Sequence, residues 1–193
     1  IANISSKPIG EHWHYKAIDA LAKLAIVEDR REEVVKIAQE RMKSTDSWVS
    51  NSSTVLFTKW GTKEHHVKHF APYLSDRGNK INHWILGTVY GKLGEYDDPA
   101  LIKALIVRLL IREDAGHAQK ALIAIGPATE DLLLAAMQNE PKIHKSAAAI
   151  LKQVGTEKCI PVLERVELDT KNTFERRDIR AAREAVKARL AEG

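Results

Sequence analysis

The sequence predicts an all-α protein built as an α-solenoid of about five helix pairs with a C-terminal capping helix. Three observations predict this fold. A short motif centred on glycine recurs, apolar residues before these glycines have the spacing of a helix face, and no segment alternates as a β-strand does. The recurring glycines are Gly61, Gly94, Gly126 and Gly155, separated by 33, 32 and 29 residues. A period of this size is typical of repeated helix–turn–helix units.

The first two predicted pairs cover residues 12–42 and 46–75, and the first of them turns near residues 28–29 without a glycine. The third pair begins with a helix before Gly94, predicted from its apolar face: Ile81, Ile85, Leu86, Val89 and Leu93. The helix before Gly155 is predicted in the same way, from Ile143, Ala147, Ile150, Leu151 and Val154. We expect the glycine after each first helix to adopt the left-handed conformation that ends a helix.

The chain ends with a single predicted helix over residues 174–191, after a loop at residues 169–173. Its apolar stripe consists of Ile179, Ala182, Val186 and Leu190. One apolar stripe on a terminal helix fits the task of covering the last repeat, which has no further neighbour. The predicted organisation is therefore one domain over residues 1–193, with a linker at 1–10, repeats at 12–168 and the capping helix.

Two stretches resemble the short, bacterial-type HEAT repeat, also called the PBS-lyase HEAT-like repeat. Residues 147–163 read AAAILKQVGTEKCIPVL, with Pro161 at the family's proline position, and residues 90–94 (YGKLG) are followed by DPAL at 98–101. The resemblance covers residues 46–168 closely and residues 12–42 less closely. It implies a right-handed stack of pairs whose second helices line a concave face, and it implies no chemistry.

Composition excludes several classes of protein. The chain has 193 residues, 44% of them hydrophobic and 29% charged, with a net charge of +4 and the single cysteine Cys159. These values exclude a disordered chain and a disulfide scaffold, and no apolar run is long enough to predict a membrane span. Because the sequence starts with Ile1 and its first ten residues lack a signal-peptide core, we expect a cytoplasmic fragment or processed product.

Aromatic residues are concentrated in the first half, since all four tryptophans and all four tyrosines precede residue 97. Large amphipathic side chains are enriched at binding hot spots. We take Trp13, Trp48, Tyr73 and Trp84 as candidate partner-binding residues. The alternative is that these side chains fill the core between repeats, which we expect for Trp60 because other repeats have Ile125 or Val154 at its position.

Histidines form a second candidate group, because His65 and His69 are four residues apart on a predicted helix. Two imidazoles at this spacing can share a zinc ion, but the sequence lacks the HExxH pattern and shows no third ligand. We therefore predict no metal site and place both residues in the tentative partner-binding surface. The alternative is a solvated helix face.

A basic stripe on the last helix is the third candidate: Arg176, Arg180, Arg183 and Lys187. Their spacing of four, three and four places them on one flank of a helix. The stripe would suit an acidic partner or phosphates. The alternative is a solvated flank of the capping helix.

Motifs of catalysis are missing: the sequence has no phosphate-binding glycine loop, no Gly-x-Ser-x-Gly and no reactive-cysteine context. The alkylpurine DNA glycosylases use HEAT-like stacks, but their aromatic–carboxylate pocket is not matched, because Trp60 and Glu64 lie on either side of a turn. We predict a non-enzymatic module without a cofactor, which binds a protein partner on its concave face as part of a larger protein. The alternative is nucleic-acid binding through basic residues of the inner face and last helix. A bilin-lyase role follows only from the repeat's second name and has no supporting residue.

Overall fold

A computed structural model describes residues 13–192, and for Trp13 only the backbone. The predicted linker at residues 1–10 and the candidate side chain of Trp13 lie outside the described residues. Over the described range the chain is helical and contains no β-strand. The prediction of an all-α fold is therefore confirmed.

The described residues form a series of α-helices. They are α1 (Trp13–Lys23), α2 (Arg31–Arg41), α3 (Ser47–Trp60), α4 (Lys63–Ser75), α5 (Leu86–Leu93), α6 (Pro99–Arg108), α7 (Ala115–Ile125), α8 (Glu130–Asn139), α9 (His144–Val154), α10 (Cys159–Asp169) and α11 (Thr173–Glu192). Short 3₁₀ turns precede α2, α8 and α9, at Glu28–Arg30, Gly126–Thr129 and Pro141–Ile143.

Local chemistry explains where several helices begin. The Asp46 carboxylate accepts hydrogen bonds from the backbone N–H groups of Trp48 and Val49 at the start of α3. Asp98 caps α6 in the same way, and Pro99 occupies the first turn, where its missing N–H costs nothing. Such caps satisfy the backbone donors that a helix start leaves without a partner.

Packing joins helices that are two apart in the chain. The first helices of the pairs contact one another in the order α1, α3, α5, α7, α9 and α11, and α4, α6, α8 and α10 form a second such row. Helices that follow one another also contact: α2 packs on α3, α6 on α7, and α10 on α11. Three residues of the predicted apolar stripe of α11 are buried, Ile179, Ala182 and Val186, whereas the fourth, Leu190, is 46% exposed near the end of the helix.

The turn glycines show one confirmed and three wrong predictions of conformation. Of the described residues only Gly126 has a positive φ, of 83°. Gly61, Gly94 and Gly155 have φ near −65°, so any residue could adopt their backbone angles. They are required by close packing instead: a Cβ at Gly61 would lie 2.5 Å from His66 Nε2, and one at Gly155 would lie 2.6 Å from the Leu151 carbonyl oxygen.

The start of α5 also differs from the prediction. The apolar spacing predicted a helix from Ile81, but α5 begins at Leu86 and residues 76–85 form a turn-rich segment before it. The Asn82 carboxamide accepts a hydrogen bond from the Trp84 backbone N–H, which stabilises a turn in place of a helix. Trp84 is therefore on a loop, and its side chain is not on a helix face.

One stretch of the described chain, Ala115–Asn139, is long and apolar enough to pass a length-and-composition test for a membrane span. It consists of α7, the turn at Gly126 and α8, and 39% of its most apolar window is buried inside the fold. Core helices of water-soluble proteins pass the same test, so this single stretch is weak evidence for a membrane.

Candidate functional site

A buried ion pair holds the segment of residues 76–85 in place. Arg108, at the end of α6, is 0% exposed, and Asp114 is 2% exposed. The Arg108 guanidinium donates from Nε to Asp114 Oδ2 at 2.6 Å, from Nη1 to the Asp76 carbonyl at 3.0 Å and from Nη2 to the Asn79 carbonyl at 2.6 Å. One side chain thus fixes two points of the segment that carries Trp84.

Tyr90 completes this cluster from α5, because its hydroxyl donates to Asp114 Oδ2 at 2.9 Å. Burial, and then the nearby Asp114 charge, raise the pKa of Tyr90 far above its ordinary value, so the phenol stays protonated and remains a donor. The sequence analysis missed the cluster. The one feature of the sequence that could have indicated this cluster is the arginine within the otherwise apolar run LIVRLLI at residues 105–111.

A groove of about 350 Å³ lies beside the braced segment. This α3–α4 groove is lined by residues in the ranges 39–43, 50–54, 69–73 and 80–85, from the end of α2, the start of α3, the end of α4 and the segment before α5. Met42 and Ile81, both half-buried, supply apolar surface. The candidates His69 and Tyr73 both line this groove.

The rings of His69 and Tyr73 stack on one wall of the groove, with centroids 6.2 Å apart and planes 13° apart. The Tyr73 hydroxyl donates to the Lys80 carbonyl at 2.9 Å, which ties α4 to the segment before α5. Burial, and then the charge of Lys43, lower the pKa of His69 below its ordinary value. The imidazole is therefore neutral at neutral pH and presents an aromatic face.

Of the three tryptophans whose side chains the structure describes, two are exposed and one is buried. Trp84 is 80% exposed and Trp48 is 61% exposed, whereas Trp60 is 3% exposed, as predicted for a core residue. Trp48 contacts Tyr15 of α1 at 5.7 Å between ring centroids, and Trp84 lies against His83 at 4.7 Å. The alternative that Trp48 and Trp84 fill the core is wrong.

Exposed aromatic side chains recur at the starts of first helices. Trp48 is the second residue of α3, Trp84 lies two residues before α5, and Phe174 is the second residue of α11. We call these three residues the aromatic edge. The sequence analysis missed Phe174, although it is the only aromatic residue after position 96.

His65 has a structural task that separates it from His69. Its Nδ1 accepts a hydrogen bond from the Thr62 backbone N–H at 3.2 Å, closing a capping box at the start of α4, and its Nε2 lies 3.3 Å from Glu32. His69 is packed against Phe57, Phe70 and Tyr73. Among the described residues no group of three or more histidine, cysteine, aspartate or glutamate side chains could hold a metal ion.

The basic stripe of α11 is engaged by groups of the same chain. Arg176 donates from Nε and Nη2 to the Thr170 carbonyl, at 3.1 and 2.6 Å. Carboxylates of α10 take up the other three charges, in the pairs Arg180–Glu167 at 2.6 Å, Arg183–Glu167 at 2.9 Å and Lys187–Glu164 at 3.2 Å. The stripe thus fastens α11 to α10, which favours the alternative of a capping-helix flank.

Another groove, of about 650 Å³, lies where α8, α10 and α11 meet, and the sequence analysis missed it. This α10–α11 groove is lined by residues in the ranges 137–144 and 161–175, which hold both basic and acidic side chains. It occupies the same place as the α3–α4 groove, between the end of one pair's second helix and the start of the next first helix.

Cys159 has the environment of a structural thiol. It is fully buried and donates to the Thr156 carbonyl at 3.1 Å. Burial, followed by the charge of Glu130, raises the pKa of Cys159 to about 11. The side chain is therefore a thiol and a poor nucleophile at neutral pH.

Comparison with known proteins adds no relative. The chain matches no protein-family model, and searches of curated proteins and of solved structures give no significant match. Function is therefore inferred from the geometry of the chain itself.

Proposed function

We propose that this chain is a non-catalytic protein-binding module, in which stacked HEAT-like helix pairs present aromatic side chains to a partner protein. The observation that carries the proposal is the exposure of Trp84, at 80%, on a segment braced by the buried Arg108. The contact surface consists of the aromatic edge and the α3–α4 groove. It is continuous with the concave side through His69 and Tyr73 of the second helix α4.

The pattern of packing supports the stacked arrangement. Contacts between helices two apart, along α1 to α11 and along α4 to α10, are those of a solenoid, in which each unit touches its neighbours. In such a stack the first helices are parallel, so the residues at their starts lie along one edge. Five pairs and the covering helix α11 account for the described helices.

The energy available from the indoles supports a partner of protein type. A tryptophan side chain buries roughly 150–250 Å² when covered, and hot-spot residues of this kind contribute at least about 2 kcal/mol to binding. A side chain on a rigid segment contributes more of this energy to affinity, because less conformational entropy is lost on binding. The hydrogen bonds of Arg108 to the Asp76 and Asn79 carbonyls supply that rigidity to the segment that carries Trp84.

Charge pairing argues against the nucleic-acid alternative. The four basic side chains of α11 are bound by the Thr170 carbonyl, Glu164 and Glu167. Phosphate binding would have to break these contacts, which lowers the gain from releasing counterions. A protein partner that covers Trp48 and Trp84 needs no such rearrangement.

The test is affinity capture from an extract of the source organism, quantified by mass spectrometry, with the wild-type chain and a Trp48→Ala/Trp84→Ala variant. We expect a set of proteins that the wild type enriches and the variant loses at least about tenfold. Leu24→Ala is the matched control, since it removes an apolar side chain that is 57% exposed near the opposite ends of the first helices. Equal capture by wild type and double variant, or no enriched protein, would refute the proposal.

A further inference from the structure

The α3–α4 groove is lined by basic side chains and by no acidic one. The whole chain has 26 acidic residues, yet none lines this groove, whereas Lys43, Lys80 and the neutral His69 do. Neither lysine forms an ion pair with a carboxylate of the described residues. This groove therefore has a positive potential that the fold does not neutralise.

The α10–α11 groove has the same position in the helix order and a different charge. Arg165 and Lys171 line it together with Asp169 and Glu175, so its charges are balanced. The two grooves have equivalent positions in the helix order but different charges, so the positive character of the α3–α4 groove does not follow from its position. It comes from the particular residues at this position.

The remaining lining of the α3–α4 groove suits a peptide. The half-buried Met42 and Ile81 form apolar surface for one side chain, and the stacked rings of His69 and Tyr73 provide a flat wall. The amides of Gln39 and Asn51 carry donors and acceptors, which match the alternating N–H and C=O groups of an extended backbone.

We propose that the α3–α4 groove binds a short acidic segment of a partner protein, with one large apolar side chain inserted against Met42 and Ile81 and carboxylates beside Lys43 and Lys80. This inference rests on the proposed protein-binding function and names the class of segment that is bound. Trp84, next to the groove-lining Ile85, contacts the partner beyond the inserted segment. Electrostatic complementarity of this type chooses among partners and raises the association rate.

The experiment is a selection of random 16-residue peptides on the immobilised wild-type chain, followed by fluorescence polarisation of enriched peptides. We expect enriched peptides to have net negative charge and a large apolar residue. Their affinity should fall about tenfold or more in a Lys43→Glu/Lys80→Glu variant and in Tyr73→Ala, with folding checked by circular dichroism. Arg165→Glu/Lys171→Glu, in the α10–α11 groove, is the matched control and should leave affinity unchanged.

Several outcomes would overturn this inference. These are no enrichment, no acidic bias, equal binding by the groove variant, or displacement of the peptide by a single-stranded 12-nucleotide DNA at equal affinity. Peptides that lose binding in Trp84→Ala but keep it in Lys43→Glu/Lys80→Glu would refute the groove assignment and leave the proposed function standing. A capture experiment without any partner would refute the function itself.

Discussion

Replacing Arg108 with methionine is expected to lower the free energy of unfolding by about 3–5 kcal/mol, the usual cost of removing one member of a buried ion pair. Methionine keeps most of the apolar stem, so the loss is mainly electrostatic. The Asp114 carboxylate would stay buried with the Tyr90 hydroxyl as its side-chain donor, and the Asp76 and Asn79 carbonyls would lose theirs. Since domains are stable by about 5–15 kcal/mol, the change would be large.

Urea denaturation followed by circular dichroism at 222 nm measures this loss. Hydrogen exchange should show, in addition, that amides of residues 76–85 lose protection before the rest of the chain. Arg112→Met is the matched control, because Arg112 is an exposed arginine four residues away, and a change within about 0.5 kcal/mol is expected.

A double variant tests whether the loss of stability in Arg108→Met comes from the buried charge of Asp114. Arg108→Met/Asp114→Leu removes the uncompensated charge, so it should be more stable than Arg108→Met alone. The account of a buried charge brace would be refuted if Arg108→Met cost no more than Arg112→Met. It would also fail if the second substitution made Arg108→Met still less stable.

Two further predictions concern the packing at Gly155 and the dependence of stability on pH. Gly155→Ala should destabilise the chain by about 1–3 kcal/mol, because its Cβ would lie 2.6 Å from the Leu151 carbonyl oxygen. Gly116→Ala is the control: this glycine has open space around it, so thermal melts should show a stabilisation of about 0.5–1 kcal/mol. Burial lowers the pKa of His66 below 6.5, and its ring nitrogens bond the Phe57 carbonyl and the Tyr96 hydroxyl, both at 3.0 Å. As the pH falls, His66 is protonated in the unfolded chain before it is protonated in the folded chain. The contribution of His66 to the free energy of unfolding is therefore fully present above about pH 6.5 and is lost as the pH falls through the pKa of the folded state. Urea midpoints at about pH 8 and about pH 5 should differ less in His66→Gln than in wild type, and an identical pH dependence would contradict the assignment.

Helix positions were predictable where local signals agree. Apolar spacing placed α9 and its turn at Gly155 correctly, and the capping residue Asp98 followed by Pro99 marks the start of α6. The same spacing failed before α5. There the carboxamide of Asn82 and the long-range hydrogen bonds of Arg108 favour a turn, and the second of these signals comes from 29 or more residues away.

The sequence indicated candidate residues by their residue type, but it could not indicate which groups their side chains contact. The concentration of aromatic residues drew attention to Trp48 and Trp84, which are exposed, and the turn position of Trp60 distinguished it as a buried residue. No spacing rule shows that Arg176 bonds the Thr170 carbonyl, because that contact depends on how α11 lies on α10. The different roles of His65 and His69 also depend on tertiary contacts. His65 caps a helix, whereas His69 packs against rings of two helices.

Periodicity and capping are local properties, so the amino-acid order alone specified an all-helical chain and a terminal helix, which the structure has at Thr173–Glu192. Exposure and pairing depend on groups that are distant in the chain and meet only in the folded state. Tertiary structure therefore decided that Trp84 stands in solvent, that the charges of α11 are taken up by α10, and that Lys43 and Lys80 border a groove without carboxylates.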